Sequence, residues 1–332
     1  MKVVKGFGFG RVFMFLVTTA LLLSGTAFWG SSEVSANHPV LVEGNCDSPV
    51  PGTTLVAPGT CGDYDGDGRI GTAEDTDGAD RIFGTLTAAL GPGTGAAAGT
   101  GANMNGTILI MKSGRFAESL VIGHAIGLPN VGGCGDPPAG FPCTPGNVTI
   151  QAAPGVVAEI DAVLQGDPAG GNATRQALTG IVIYYFPGPG TADRIVTLRN
   201  LVIRNFTQGI GTFGDNSILV ENCRIENNTK AGINVTGSHK MVIARSVISG
   251  NGRRLGAGVG VDNTPSPGDG LIVAEGASAK VFDTLFSNNV AAGIRNTTGS
   301  ASRVTLFKVA NYFNGTDLVG SVTISPDSNY SN

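Results

Sequence analysis

From residue 196 onward the chain repeats one phrase: an aliphatic strand, a polar step, a second aliphatic strand, and then a Gly followed by Ile or Val. The copies read VTLRNLVIRN, ILVENCRIEN, MVIARSVISG and KVFDTLFSNN, and VTLFKVANYF is a degenerate fifth copy. A unit built only of short strands and turns cannot bury its apolar face alone, so each copy must stack on the next. The repeat therefore predicts a solenoid.

The spacing of the copies indicates how the strands pair. Equivalent apolar positions at Leu198, Val220 and Ile243 lie 22 and 23 residues apart. The next step, to Val281, is 38 residues, and Leu306 follows 25 residues later. A step of this length suits three short strands per coil, each hydrogen-bonded to its counterpart one coil away. Two-residue Asn-Gly or Asp-Gly turns, which a hairpin fold needs, are missing from the dominant pattern.

Turn residues recur at fixed places in the copies. We align the Gly-Ile and Gly-Val pairs at 209–210, 232–233, 258–259 and 293–294 as equivalent. Asn205, Asn227 and Asn288 fit small turns, because Asn tolerates a left-handed backbone and its side chain bonds neighbouring backbone groups. We expect stacked Asn residues at one turn to form an amide ladder.

Residues 1–36 have the pattern of a signal peptide. A basic start is followed by an apolar run over 12–29 and by small residues at 34–36. We therefore expect a secreted or periplasmic protein. An uncleaved signal anchor is the alternative, although the run is short for a spanning helix. No later segment is apolar enough to span a membrane, and no basic cluster indicates a nucleic-acid partner.

The rest of the chain divides by composition. Residues 37–79 are irregular, because Pro and Gly break any regular element. Residues 80–90 carry apolar side chains at helical spacing, with Asp80 as N-cap, and predict a short helix that covers the end of the first coil. We place this helix and the solenoid in residues 80–325, and residues 326–332 form a tail.

The five cysteines of an exported chain suggest disulfides. Cys46 and Cys61 bracket one turn-rich stretch, and Cys134 and Cys143 bracket another, so these are the preferred pairs. Cys223 lies within a repeat strand, where a small buried thiol is expected.

The strand phrases resemble a known family. GTILIMKSGRFAESLVI, GINV and NCRIENN are similar to sequences of the right-handed parallel β-helix, or pectin-lyase-like, superfamily, over about residues 80–325. Its members often begin with a capping helix, a strand, a Gly-x-aromatic turn and a Glu, matched here by Gly114, Phe116 and Glu118. The resemblance implies an all-β fold, a right-handed parallel β-helix with a short N-terminal capping α-helix. It leaves the activity open, because the superfamily includes lyases, hydrolases, esterases, adhesins and tailspikes.

Residues 63–74 match a twelve-residue calcium loop, with Asp at positions 1, 3 and 5, Gly at 6, Ile at 8 and Glu at 12. Alternating carboxylates on a tight loop supply the oxygens that Ca²⁺ prefers. No helix precedes the loop, so it is EF-hand-like rather than an EF-hand, and the alternative is a solvated acidic turn without metal. The predicted ligands are Asp63, Asp65, Asp67, the Arg69 carbonyl and Glu74.

Catalytic motifs of the superfamily are missing. We find no cluster of Asp residues on successive coils, no Asp pair with a Gly-His-Gly stretch, and no GxDFIFG-like strand. His124 and His239 lie at strand edges without a Ser or Asp partner, which favours surface or turn roles. Whether the chain is an enzyme stays open.

Charged residues also recur at equivalent positions of adjacent coils. Arg199 matches Glu221, and Arg204 matches Glu226. We interpret these pairs as an exposed ionic ladder between strands, and sugar contacts are the alternative.

The 38-residue step contains the candidate ligand loop. Loops that project from a rigid scaffold are where ligands usually bind. The stretch from Asn251 to Asp269 supplies Arg253, Arg254, Asp262 and Asp269, and a polar loop without a ligand is the alternative. We therefore expect an exported, calcium-binding module that binds a polysaccharide or cell-surface glycan. The competing hypothesis is a divergent polysaccharide lyase or glycoside hydrolase.

Overall fold

Three parallel sheets run through the described part of the chain. The computed structural model describes residues 40–42, 82–83, 85–90, 106–123, 147–162, 179–185, 195–252 and 268–325. All of them belong to the unit His38–Asn332. Sheet 1 contains ten strands, and sheets 2 and 3 contain seven strands each.

The strands of each sheet follow one another in space. Sheet 1 runs β2 (Ile82–Phe83), β1 (Val40–Val42), β3 (Gly106–Ile110), β6 (Val148–Ala152), β9 (Ile195–Arg199), β12 (Ser217–Glu221), β15 (Lys240–Ala244), β18 (Ser278–Phe282), β21 (Val304–Phe307) and β24 (Thr323–Ile324). Sheet 2 runs β4 (Gly114–Phe116), β7 (Ala158–Asp161), β10 (Leu201–Arg204), β13 (Arg224–Glu226), β16 (Val247–Ser249), β19 (Leu285–Ser287) and β22 (Ala310–Tyr312). Sheet 3 runs β5 (Leu120–Gly123), β8 (Thr179–Tyr185), β11 (Gln208–Gly214), β14 (Ala231–Val235), β17 (Asp269–Val273), β20 (Ala292–Asn296) and β23 (Thr316–Val319).

Each coil visits sheets 1, 2 and 3 once and then enters sheet 1 one strand further along, so the described chain is a parallel β-helix, as predicted. The predicted equivalence of the apolar strand positions is confirmed. In sheet 1, Leu198 pairs with Val220, Val220 with Ile243, Ile243 with Val281, and Val281 with Leu306.

The core is a continuous column of apolar side chains between the three sheets. Alternate residues of a strand point to opposite faces, so each short strand supplies one or two inward side chains. In sheet 3 the inward column is fully buried at successive coils, as Ile181, Ile210, Ile233, Leu271 and Ile294 show.

Left-handed residues lie at all three corners of the coil, and those of the first two corners align along the solenoid. The first corner, between sheets 1 and 2, uses Asn200, Asn222, Arg245, Asp283 and Lys308, with φ of 57°, 52°, 48°, 45° and 50°. The second corner, between sheets 2 and 3, uses Asn205, Asn227, Gly250, Asn288 and Phe313, with φ of 67°, 58°, 66°, 55° and 55°. The turn role predicted for Asn205, Asn227 and Asn288 is therefore confirmed.

An amide ladder runs along the second corner, but it is formed by Asn228, Asn251, Asn289 and Asn314, each of which follows the left-handed residue of its coil. The Asn228 side-chain Nδ2 donates to Asn251 Oδ1 at 3.0 Å, Asn251 Nδ2 donates to Asn289 Oδ1 at 2.8 Å, and Asn289 Nδ2 donates to Asn314 Oδ1 at 2.9 Å. Each Oδ1 also accepts a backbone N–H from the preceding coil, at 3.0–3.2 Å. Asn228, Asn251 and Asn289 are buried.

The predicted helix over 80–90 is shorter than expected. Ile82–Phe83 form strand β2, which pairs in parallel with β1, and helix α1 covers only Leu86–Leu90. The apolar residues that suited a helix are thus divided between a strand and a helix. The Glu118 carboxylate accepts the Leu86 N–H at 2.9 Å and the Thr87 N–H at 2.7 Å, which holds the first turn of α1 against the solenoid.

The long step between repeats also needs a correction. Leu271 of β17 pairs with Ile233 on one side and Ile294 on the other, so Gly270-Leu271 is the equivalent pair, not Gly258-Val259. The extra residues therefore lie between β16 and β17. Gly252 and Gly268, which flank them, are packed so closely that a side chain at either would collide with the other's backbone.

Several predictions lie outside the described residues: the signal peptide 1–36, the calcium loop 63–74, the tail 326–332, the pairs Cys46–Cys61 and Cys134–Cys143, and Arg253, Arg254 and Asp262. Cys223 is a free, buried thiol, as expected, and burial raises its pKa to about 12. Among the described residues no helix is long and apolar enough to cross a membrane.

Candidate functional site

Asp269, one of the predicted ligand residues, begins β17 and is fully buried. Its Oδ2 accepts the Arg295 Nε–H at 2.9 Å, and its Oδ1 accepts Arg295 Nη2 at 3.0 Å and the Ala292 N–H at 3.0 Å. The hydrogen bonding to Asp269 raises the pKa of the Arg295 guanidinium. Asp269 thus anchors the strand at which the chain rejoins the solenoid after the long step. A ligand role for it with Arg253, Arg254 and Asp262 stays a prediction.

The predicted charge pairs occupy the register that the repeat indicated. Glu221 pairs with Arg199 in sheet 1, and Arg204 pairs with Glu226 in sheet 2. Their side chains approach to 2.5 Å and 3.8 Å. Both glutamates are buried, however, so the interpretation as an exposed ladder is wrong in that respect. Buried carboxylates need these cations, because an unpaired buried charge is strongly destabilising.

A stacked aromatic pair lies on the outer side of sheet 3. Tyr184 of β8 and Phe213 of β11 are neighbours in the strand register. Their ring centroids are 5.0 Å apart and their planes differ by 17°. Phe213 is 40% exposed, which is high for a large apolar side chain next to a packed core. We call these two rings the aromatic platform.

A cleft of about 470 Å³ adjoins the platform at the third corner, between sheets 3 and 1. We call it the platform cleft. Its lining combines one aromatic ring with small and polar residues from three successive coils: Phe213, Gly214, Asp215, Thr236, Gly237, Ser238 and Glu275.

Backbone and side-chain hydrogen bonds fix the walls of the cleft. The Ser238 N–H donates to the Gly214 carbonyl at 2.8 Å, and the Gly237 N–H donates to Glu275 Oε2 at 2.8 Å. Gly237 has φ of 75°, and a side chain there would collide with the Gly214 carbonyl oxygen. The cleft is therefore shaped by stacked turns and not by a single mobile loop.

His239, beside the cleft residue Ser238, is fully buried, which corrects the surface role considered for it. Among the described residues, neither of its ring nitrogens has a hydrogen-bond partner, and the same holds for the buried Asn216 Oδ1. Asn216 and His239 occupy equivalent places on adjacent coils, since the Lys240 N–H donates to the Asn216 carbonyl and the Ser278 N–H to the His239 carbonyl. Burial lowers the pKa of the imidazole. The ring therefore favours its neutral form.

The platform was missed by sequence reasoning because its rings lie 29 residues apart in the chain. The signal was available in the repeat. Ile181 and Ile210 are partners in the register, and an aromatic residue follows each of them by three positions. Aligning the strand at 179–185 with the later copies would have brought Tyr184 and Phe213 together.

Comparison with known proteins agrees with this architecture. Residues 172–309 match the family model described as a right handed beta helix region. No curated protein sequence is significantly similar to the chain.

Two solved structures show weak likeness. The pectate lyase Pel9A is 16% identical, with a TM-score of 0.37, over 69% of this chain and 70% of that chain. The pectin methylesterase from Aspergillus niger is 12% identical, with a TM-score of 0.20, over 77% of this chain and 88% of that one. The fold rests instead on the strand register and on the family match. Over its described residues the chain is a parallel β-helix, and residues 172–309 match the right-handed β-helix family model.

Proposed function

We propose that the protein is an exported β-helix that binds carbohydrate through the aromatic platform and the platform cleft, as an extracellular binding or structural module. The stacked pair Tyr184–Phe213 carries this proposal, because it presents an exposed ring face at the edge of a concave surface. Ligand sites usually combine apolar and aromatic walls with a few well-placed polar groups. The apolar face of a sugar ring can pack on Phe213.

Polar groups in the cleft suit sugar hydroxyls. The carboxylates of Asp215 and Glu275 can accept hydrogen bonds from hydroxyl groups, and the Ser238 hydroxyl can donate or accept. The lining residues come from successive coils, which lie about 4.8 Å apart along the axis. An extended glycan running along that axis would meet equivalent positions of several coils.

Replacing the exposed ring tests this function. We expect Phe213→Ala to weaken binding of a recognised soluble polysaccharide at least tenfold, measured by calorimetry across a panel of plant and microbial glycans. The matched control is Phe307→Ala, because Phe282 and Phe307 form another stacked pair on sheet 1, with centroids 4.5 Å apart. Equal affinities of the two variants, or no binding by the unchanged protein, would reject the proposal.

Calcium binding at residues 63–74 is the second part of the proposal, supported by the twelve-residue pattern. A bound Ca²⁺ would fix the N-terminal segment, and α1, whose Leu86 and Ala89 are buried in the core, would cover the first coil. We expect added Ca²⁺ to raise the melting temperature and a chelator to lower it. Glu74→Gln should remove this response, whereas Asp283→Asn, at the first corner, should keep it. An unchanged melt would contradict the site.

Export is supported by residues 1–36 alone. Expression with these residues should yield extracellular or periplasmic protein whose mature chain begins at Asn37. A cytoplasmic protein with an intact N-terminus would contradict this part of the proposal.

A divergent lyase or hydrolase is the alternative function, favoured by the presence of Asp215 and Glu275 in one cleft. Glycoside hydrolases use a pair of carboxyl groups flanking the scissile bond. Release of reducing ends, or of unsaturated products absorbing at about 235 nm, would support an enzyme. Turnover that survives both Asp215→Asn and Glu275→Gln would show that these carboxylates are not its catalytic residues.

A further inference from the structure

A second concave surface, of about 480 Å³, follows the first corner. One wall is the loop between β6 and β7, which needs several residues where later coils turn in one or two. This loop is ordered by the bond from the Val156 N–H to the Ala153 carbonyl at 3.0 Å and from the Val157 N–H to Ser113 Oγ at 2.9 Å. Val157 is 52% exposed. We call this surface the arginine groove.

The floor of the groove consists of residues from the next three coils. Asn222 Nδ2 donates to Asn200 Oδ1 at 2.8 Å, so two side-chain amides follow each other along the axis. Arg224 and Arg245 lie further along, and their side chains are 61% and 55% exposed. The full lining is Ala153, Pro154, Gly155, Val156, Val157, Asn200, Leu201, Val202, Asn222, Cys223, Arg224, Arg245 and Val247.

Most hydrogen-bond donors of the two arginines are unused. A guanidinium has five N–H donors. Arg224 donates from Nη2 to Glu226 Oε2 at 2.8 Å, and Arg245 donates from Nη2 to Glu221 Oε1. Within the described residues neither has another partner, so each presents free donors at the groove.

The charge at this corner is also unbalanced. Glu221 is shared by Arg199 and Arg245, which leaves one positive charge without a carboxylate. The whole chain carries a formal net charge of −4, so a cationic groove runs against the overall balance. Arginine donors at a partly apolar groove match paired oxygens of a carboxylate or sulfate group.

Arg245 is unusual at its place in the fold. It has φ of 48°, at the corner position where the two preceding coils have Asn200 and Asn222. Asn tolerates this backbone better than a long side chain does. Its ion pair with Glu221 does not account for its presence, because Arg199 already serves that carboxylate at 2.5 Å. Arg245 instead places an additional positive charge at the groove.

We propose that the arginine groove binds the acid groups of an acidic polysaccharide, an inference that rests on the carbohydrate binding proposed above. Arg224 and Arg245 hold the carboxylates or sulfates, and the amides of Asn200 and Asn222 bond the hydroxyls between them. The valines of the β6–β7 loop cover the apolar part of the chain. The site shares no residue with the platform cleft.

The test is a variant that should fold normally. Arg224→Val copies Val202 and Val247, its register neighbours, and Arg245→Asn copies the preceding corners. Glu221 keeps Arg199, and Glu226 keeps Arg204. An unchanged melting temperature would confirm that the double variant is intact.

The probes are polygalacturonate, dextran sulfate and neutral dextran. We expect the unchanged protein to bind at least one charged polymer with an affinity that falls as NaCl rises. The double variant should bind that polymer at least tenfold more weakly, and any binding of dextran should be unaffected. Which charged polymer responds identifies the acid group as carboxylate or sulfate.

Three outcomes would overturn the proposal: no binding of either charged polymer, equal binding by the double variant and the unchanged protein, or an equal loss of affinity for dextran in the double variant. A parallel titration of Phe213→Ala separates the two sites. If Phe213→Ala loses all binding while the double variant loses none, the groove is rejected and the platform stands.

Discussion

The first and second corners of the coil use the same backbone solution and treat the side chains differently. Both turn through a left-handed residue. At the second corner a buried Asn follows in coil after coil, and its amide joins each coil to the next. At the first corner the left-handed residue changes from Asn to Arg, Asp and Lys along the solenoid. At the first corner the backbone restricts only φ, whereas at the second corner burial also restricts which side chain is tolerated.

The number of residues in each corner explains this difference. The second corner spans three or more residues, whose backbone N–H groups need acceptors inside the fold, and the Asn ladder supplies them. From β9 onward the first corner turns in one or two residues, and short hydroxyls suffice: Ser246 Oγ accepts the Cys223 N–H at 3.2 Å. The exposed side chain at the first corner is therefore available for binding.

The largest expected effect comes from interrupting the buried ladder. Asn251→Ala removes the acceptor of the Asn228 N–H and the donor to Asn289, which leaves several buried polar groups unpaired. We expect the free energy of unfolding to fall by about 3 kcal/mol, measured by urea titration. Asn222→Gly at the first corner should cost less than about 1 kcal/mol. Equal losses would remove the distinction between the corners.

Glycine beside the ladder should be the next most sensitive position. A Cβ at Gly232 would lie 2.7 Å from the Gly270 carbonyl oxygen and 2.9 Å from Asn251 Nδ2. Neither backbone nor ladder can move away easily, so Gly232→Ala should cost about 2 kcal/mol in unfolding free energy. Gly114→Ala is the control, because a Cβ there meets nothing within 4 Å. Comparable denaturation midpoints would refute the steric explanation.

The third corner should differ from the other two in its response to pH, because it contains the buried His239. Burial lowers the pKa of His239, so the folded state binds a proton less readily than the unfolded state does. His239 therefore costs nothing in stability well above its ordinary pKa of 6.5, and stability declines as pH falls below that value and through the lowered pKa. Urea titrations from pH 8 to pH 5 should show a weaker decline for His239→Ala. Parallel pH profiles would contradict this.

The smallest expected effect has the opposite sign. Phe313 has φ of 55° at the second corner, where three other coils have Asn, and it is 86% exposed. Phe313→Asn should raise the unfolding free energy by about 0.5 kcal/mol, because it relieves strain and exposes no core. Asn227→Phe, the reverse change, should destabilise the protein. A loss of stability in Phe313→Asn would indicate that the ring has packing contacts that matter.

Much of the fold follows from local sequence. The equivalence of Leu198, Val220 and Ile243 was predictable because strand alternation and left-handed Asn are short-range effects. Features that depend on contacts between distant parts of the chain were not predictable in this way. The long step conceals which Gly resumes the coil, because the sequence pattern favours Gly258 whereas the strand register uses Gly270. The start of α1 depends on pairing between Val40–Val42 and Ile82–Phe83, which are far apart in the chain.

The candidate sites were less predictable than the fold. The platform depends on register between Tyr184 and Phe213, and the burial of His239 depends on the inward direction of one turn. Residues 63–74 were read directly from their spacing and stay a prediction. The arginine groove requires knowing which corner Arg245 occupies, and no single copy of the repeat reveals that.

Because Gly252 and Gly268 are in contact, the solenoid should tolerate insertion of foreign sequence between them. The two flanks meet, and the Asn228 carbonyl and the Ala291 N–H hold them to neighbouring coils through backbone bonds of 2.6 Å and 3.1 Å, so the strand register is fixed on both sides of residues 253–267. The entropy of closing a loop grows only logarithmically with its length. Peptides of very different size can therefore be inserted between the two glycines without shifting the strand register.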